Sequence, residues 1–117
     1  MNFSNKIVWI TGASSGIGKA LAMELSKQNV KLILSSRNEN ALNQVKNECE
    51  NSSTIKILPL NLEDYTNLFL KVEEALLLFG SVDVLFNNGG ISQRSLAKDT
   101  FIIINKIYKT TILLFVH

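Results

Sequence analysis

One cysteine, one histidine and one proline occur among 117 residues. A lone Cys49 closes no internal disulfide, which excludes a small secreted domain held together by bridges. It falls on an apolar helical face and reads as a packed thiol. The single histidine, His117, is terminal and without a partner, and no metal site is read in the chain. Charge of one sign is also missing. Twelve Lys and Arg against ten Asp and Glu leave a net charge of +2. There is no basic run and no interleaved aromatic platform, so nucleic acid is excluded as a partner. No apolar leader precedes the first strand-like segment, so neither a secretory signal nor an N-terminal anchor is expected. The apolar C-terminal stretch is broken by Asn105, Lys106 and Lys109, which argues against a transmembrane span. A reducing, cytoplasmic setting is the expectation that follows.

What is present is alternation. Residues 7–11 form a short apolar run without period-two patterning, as expected of a strand covered on both faces. A helix is predicted over 17–28, a strand over 31–36 and a second helix over 39–50 with Asn38 as its N-cap. A third strand follows over 55–60, and Pro59 places it at a sheet edge, where a missing donor does little harm. The stripe Leu68, Val72, Ala75 and Phe79 predicts a third helix over 63–79, stopped by Gly80. A fourth strand is read over 83–87. Such βα units in series make an α/β fold, a Rossmann-type doubly wound parallel sheet, the most economical architecture. The sheet is expected to stop after about four strands, within one partial domain spanning 1–117.

Residues 100–117 pull in two directions. Their β-branched content favours strand. Phe101, Ile104, Tyr108, Ile112 and Phe115 nevertheless recur at helical spacing, and a helix is the favoured reading. Its second apolar set, Ile102, Ile103, Leu113 and Leu114, would then need another covering surface. A second copy, or a longer relative, could supply it by pairing with that apolar helix.

Two clusters carry chemistry. Thr11-Gly12-Ala13-Ser14-Ser15-Gly16-Ile17-Gly18 stands between the first strand and the first helix. Gly12 suits a tight turn, Gly16 a close approach of backbone to ligand, and Gly18 tight packing of helix on strand. The helix opening there offers unpaired N–H groups and a positive dipole end to a diphosphate. The second cluster, Asn87-Asn88-Gly89-Gly90, ends the fourth strand. Ligands of doubly wound sheets sit outside those carboxyl ends.

Together the two clusters resemble the short-chain dehydrogenase/reductase family, whose nucleotide turn reads Thr-Gly-x-x-x-Gly-x-Gly and whose fourth strand ends in Asn-Asn-Ala-Gly. Only Gly89 departs, in place of alanine. Asn-Asn-Gly-Gly followed by Ile91-Ser92-Gln93-Arg94-Ser95 is similar to the retinol- and steroid-dehydrogenase-like branch. The resemblance spans roughly residues 5 to 104 and fades into a divergent apolar tail over 105–117. It implies that Gly12, Ser14, Ser15, Gly16, Ile17 and Gly18 line the pyrophosphate and nicotinamide side of a dinucleotide. It also implies that Asn87 and Gly89 meet the adenosine ribose region. Asn61 and Leu62 fall where the family carries Asp and an aliphatic residue against the adenine edge, and an Asn carbonyl can still accept from the adenine amino group.

The end of the second strand speaks to cofactor choice. An NAD enzyme usually places an acid there, about twenty residues past the glycines, on the ribose 2′-hydroxyl. This chain has Ser35-Ser36-Arg37 instead. No carboxylate repels a 2′-phosphate, and Arg37 offers a planar fork of donors to one. Such a charge-assisted bond is worth about 1.5–3 kcal/mol, or roughly tenfold or more in affinity. NADP(H) is therefore expected rather than NAD.

The family transfers hydride with a Ser, a Tyr and a Lys four residues beyond that Tyr. Here Tyr65 and Tyr108 are followed at that spacing by Phe69 and Ile112. No catalytic residue is assigned. Two readings stay open: the NADP(H)-binding portion of an alcohol/carbonyl oxidoreductase whose catalytic elements lie elsewhere, or an inactive binding module or non-functional truncation product.

Overall fold

The computed structural model describes residues 2–61, 67–88, 98–99, 101–102, 105 and 112–115. Its elements run β1 (Ile7–Thr11), α1 (Gly16–Leu25), β2 (Lys31–Ser35), α2 (Glu39–Glu48), β3 (Ile55–Ile57), α3 (Leu68–Phe79), β4 (Val84–Asn87) and β5 (Ile112–Phe115). A 3₁₀ turn, Ser52–Thr54, leads into β3. All the strand pairs are parallel, and the order across the sheet is β3-β2-β1-β4-β5. The chain thus lays down β1, β2 and β3 in one direction and then crosses back to β4 on the other side of β1. This reversal makes the carboxyl ends of β1 and β4 a topological switch point.

The uninterrupted apolar strands are explained by helices on both faces. Val8, Ile10, Leu32, Leu34, Val84 and Phe86 pack with Ala22 and Leu25 of α1 and Leu42 and Val45 of α2. Trp9, Ile33 and Leu85 point the other way, onto Val72, Ala75 and Leu76 of α3. Successive strand residues therefore feed two cores, which leaves no polar face to alternate with. Trp9 is fully buried, and its indole Nε1 donates to Ser35 Oγ at 2.8 Å, so its one polar atom is satisfied.

Local signals hold at several places. Asn38 Oδ1 accepts from Ala41 N at 3.0 Å and caps α2. Gly80 ends α3 in a left-handed conformation, its N–H donating to Leu76 O. Leu58 N donates to Leu34 O and Leu60 N to Ser36 O, both at 2.9 Å, which carries the β3–β2 pairing past the strand. Pro59 lies between those two inward donors, so its missing N–H falls on the outer side of the edge strand.

The helix expected over 100–117 is corrected. Lys98, Asp99, Phe101, Ile102 and Asn105 are helical, but Ile112–Phe115 is a strand paired with β4 in the register Val84↔Ile112 to Asn87↔Phe115. Leu113 packs on the α3 side of the sheet and Leu114 on the α1/α2 side. Extension thus gives Leu113 and Leu114 a core on each side of the sheet, while Ile112 stays exposed. Backbone pairing with β4 and β-branched propensity outweigh the helical spacing. The edge of β4 is consequently covered, and residues 112–115 offer no helix through which a second chain could pair.

Candidate functional site

The two sequence clusters meet at the switch point. Thr11 is the register partner of Asn87, and both are buried. Thr11 Oγ1 donates to Asn87 Oδ1 at 2.9 Å. Beyond them, Asn88 Nδ2 donates to Gly12 O at 3.2 Å, tying the end of β4 to the turn after β1. Ala13 N donates to Ser35 O at 3.1 Å and fastens the same turn to β2. Thr11 and Asn88 both belong to the two motif clusters, but the motifs give neither a role, and nothing in them signals the bonds that join one cluster to the other.

Each glycine of the turn answers a different demand. Gly12 has φ +64°, and a Cβ there would run into the backbone carbonyl of Asn88. A Cβ on Gly18 would meet the Gly12 carbonyl oxygen and would lie 2.7 Å from Asn88 Nδ2. Gly18 is thus the contact at which α1 packs against both loops. Gly16 has φ +56° but nothing within 4 Å of its would-be Cβ. Open space over a left-handed glycine at a helix start is what an approaching ligand needs.

The start of α1 is furnished for an anion. Ser15 is its N-cap in extended conformation with no side-chain capping bond, and the first turn holds no acid. Ser15, Gly16 and Ile17 are exposed, with Ile17 at 53%. Ser14 is half-buried beside them. The amides there can serve an oxyanion together with the dipole of α1. Asn87 Nδ2 is buried with no hydrogen-bond partner among the described residues. A buried donor held at the carboxyl end of a strand costs about 1–3 kcal/mol unless something accepts from it. These features together fit a diphosphate-bearing cofactor.

A second recess lies where the chain leaves β2 and β3. Arg37, Pro59, Leu60, Asn61, Asn67 and Lys71 line a cleft of about 400 Å³. Arg37 and Asn61 share that cleft, and Arg37 is exposed. Asn67 and Lys71 carried no motif signal; only the packing of α3 against the sheet places them there. Leu62 and Gly89 lie outside the described residues. Among the described residues no group of three or more His, Cys, Asp and Glu could hold a metal ion, and no helix is long and apolar enough to cross a membrane.

The short chain dehydrogenase family model matches residues 6–111. The chain belongs to the short-chain dehydrogenase/reductase family. It is 45% identical over 102 residues to the human "Dehydrogenase/reductase SDR family member 7", covering 83% of this chain and 30% of that protein. It is 39% identical over 90 residues to the "NADP-dependent 3-hydroxy acid dehydrogenase" of Schizosaccharomyces pombe, covering 74% of this chain and 35% of that protein. The chain thus spans about a third of the length of these relatives. In fold it is similar to a 3-ketoacyl-(acyl-carrier-protein) reductase from Brucella melitensis complexed with NADH. The TM-score there is 0.82 at 21% identity, over 97% of this chain and 57% of that one. The fold is the Rossmann-type arrangement of a family of nicotinamide-dependent oxidoreductases, and the matched region is its N-terminal half.

Proposed function

We propose that this chain is the NADP(H)-binding part of a short-chain dehydrogenase/reductase that moves hydride between the nicotinamide and an alcohol or carbonyl substrate. In this reading the Gly12–Gly18 turn and the start of α1 hold the pyrophosphate, with Ser14, Ser15 and Ile17 around it. Asn87 and Gly89 take the adenosine ribose side, while Asn61 and Leu62 take the adenine. The 117 residues contain no Tyr-x-x-x-Lys, so the proton-transfer chemistry is assigned to elements outside them. A cytoplasmic setting belongs to the same proposal, supported by an unpaired, half-buried Cys49.

The observation that carries the cofactor assignment is Arg37. It follows β2 directly after two serines, where an NAD enzyme would carry an acid, and it lines the same cleft as Asn61. The Schizosaccharomyces pombe relative is described as NADP-dependent, whereas the Brucella melitensis reductase was captured with NADH. Fold alone therefore leaves the choice to residues such as Arg37. The test is Arg37→Ala, with NADPH and NADH affinities measured by fluorescence titration. NADPH affinity should fall about tenfold or more while NADH affinity barely moves. An unchanged ratio of the two affinities would overturn the assignment.

A further inference from the structure

Lys71 belongs to no nucleotide-binding motif, yet it faces the same cleft as Arg37 from a different element. Arg37 follows β2, and Lys71 closes the first turn of α3. The described lining of that cleft is Arg37, Pro59, Leu60, Asn61, Asn67 and Lys71, two cations with no carboxylate among them. We propose that Lys71 is a second specificity-determining cation, holding the cofactor's 2′-phosphate together with Arg37. This rests on the reading that the cofactor is NADP(H).

Three observations support the role. A phosphate monoester carries a charge between about −1.5 and −2 near neutral pH, so a single guanidinium leaves part of it unmatched. Arginine supplies a planar, bidentate fork, and lysine complements it as a mobile point charge on a flexible stem. Next, Lys71 stands near the N-terminus of α3, the end where a helix dipole opposes a cation, and no acid in the first turn offsets it. An anion bound in the cleft would relieve that placement. Finally, the side chain is held in without being locked. It is 32% exposed, and its Nζ lies 3.6 Å from Glu74 Oε2, on a carboxylate that is itself 52% exposed. A long, wet ion pair of that kind contributes little and is readily exchanged for a dianionic partner.

The test uses the full natural chain and titrates NADPH, NADH and adenosine 2′,5′-bisphosphate against Lys71→Gln, Lys71→Arg and Arg37→Ala. Lys71→Gln should weaken NADPH and the bisphosphate by about threefold to tenfold, with NADH within about twofold. Raising the ionic strength should shrink that difference, because the cleft is open to solvent. Lys71→Arg should keep the selectivity, which separates a charge effect from a packing defect. Lys71→Gln altering NADPH and NADH equally, while Arg37→Ala still lowers NADPH alone, would refute Lys71 and leave the cofactor reading standing. If Arg37→Ala also leaves the ratio unmoved, the NADP(H) reading itself fails and the role of Lys71 falls with it.

Discussion

Gly18 is where nucleotide turn, helix and fourth strand are pressed together, and Gly18→Ala puts that contact to the test. The added Cβ would overlap the Gly12 carbonyl oxygen, a backbone atom that cannot swing aside, and would come within 2.7 Å of Asn88 Nδ2, a side-chain amide that has to move. Overpacking of this kind costs about 1–3 kcal/mol. Displacing Asn88 also breaks its bond to Gly12 O, now 3.2 Å, for about 1 kcal/mol more. The sum is about 2–4 kcal/mol, which at about 4 °C per kcal/mol lowers the melting temperature by roughly 8–16 °C. Gly16→Ala is the control. It meets no atom within 4 Å, and only its φ of +56° penalises it. That penalty is about 1–2 kcal/mol. Thermal melts by circular dichroism, in the full natural chain without cofactor, should rank Gly18→Ala clearly below Gly16→Ala. Equal melting temperatures would show that packing of α1 onto the β4 end is not what demands a glycine at 18.

Two further outcomes are expected. Trp9→Phe removes the Nε1 donor and leaves the fully buried Ser35 hydroxyl unpaired beside a small void, so urea titration should show a loss of about 2–4 kcal/mol; a loss under about 0.5 kcal/mol would contradict the buried bond. Cys49 caps the C-terminal end of α2, and its thiol is pushed above the ordinary value mainly by burial, with the bond to Ser26 pulling the other way. Folding therefore favours the protonated thiol. That contribution is complete below the unfolded thiol's pKa and is lost as pH rises through the raised folded one. Iodoacetamide at about pH 8.5 should alkylate the folded chain more slowly than the unfolded chain, and equal rates would remove the claim.

Much of the fold was legible because its signals are short-range. β1 announces itself as an apolar run without alternation, and that run is buried on both sides by helices that also follow in sequence. The Asn38 cap, the Gly80 stop and the edge placement of Pro59 each depend on a few neighbouring backbone groups, and each holds. Helix ends were read two or three residues too long. The 17–28 helix closes at Leu25, where Ser26 N still bonds to Ala22 O before the chain turns toward β2. The C-terminal segment misled because its helical spacing is a local pattern, whereas β5 exists only through a partner strand.

By itself the sequence determined the order of strands and helices as far as β4, the glycine turn, and the Ser35-Ser36-Arg37 run with which the chain leaves β2. These follow from hydropathy period, caps and residue chemistry, all of which act within one or two turns of chain. Tertiary structure alone decided that Thr11 and Asn87 share a hydrogen bond, that Asn88 grips Gly12 and that Lys71 joins Arg37 at one cleft. It also decided that residues 112–115 extend along β4. Those pairs stand 34 to 76 positions apart or lie across different strands, and nothing in local propensity encodes the register that brings them together.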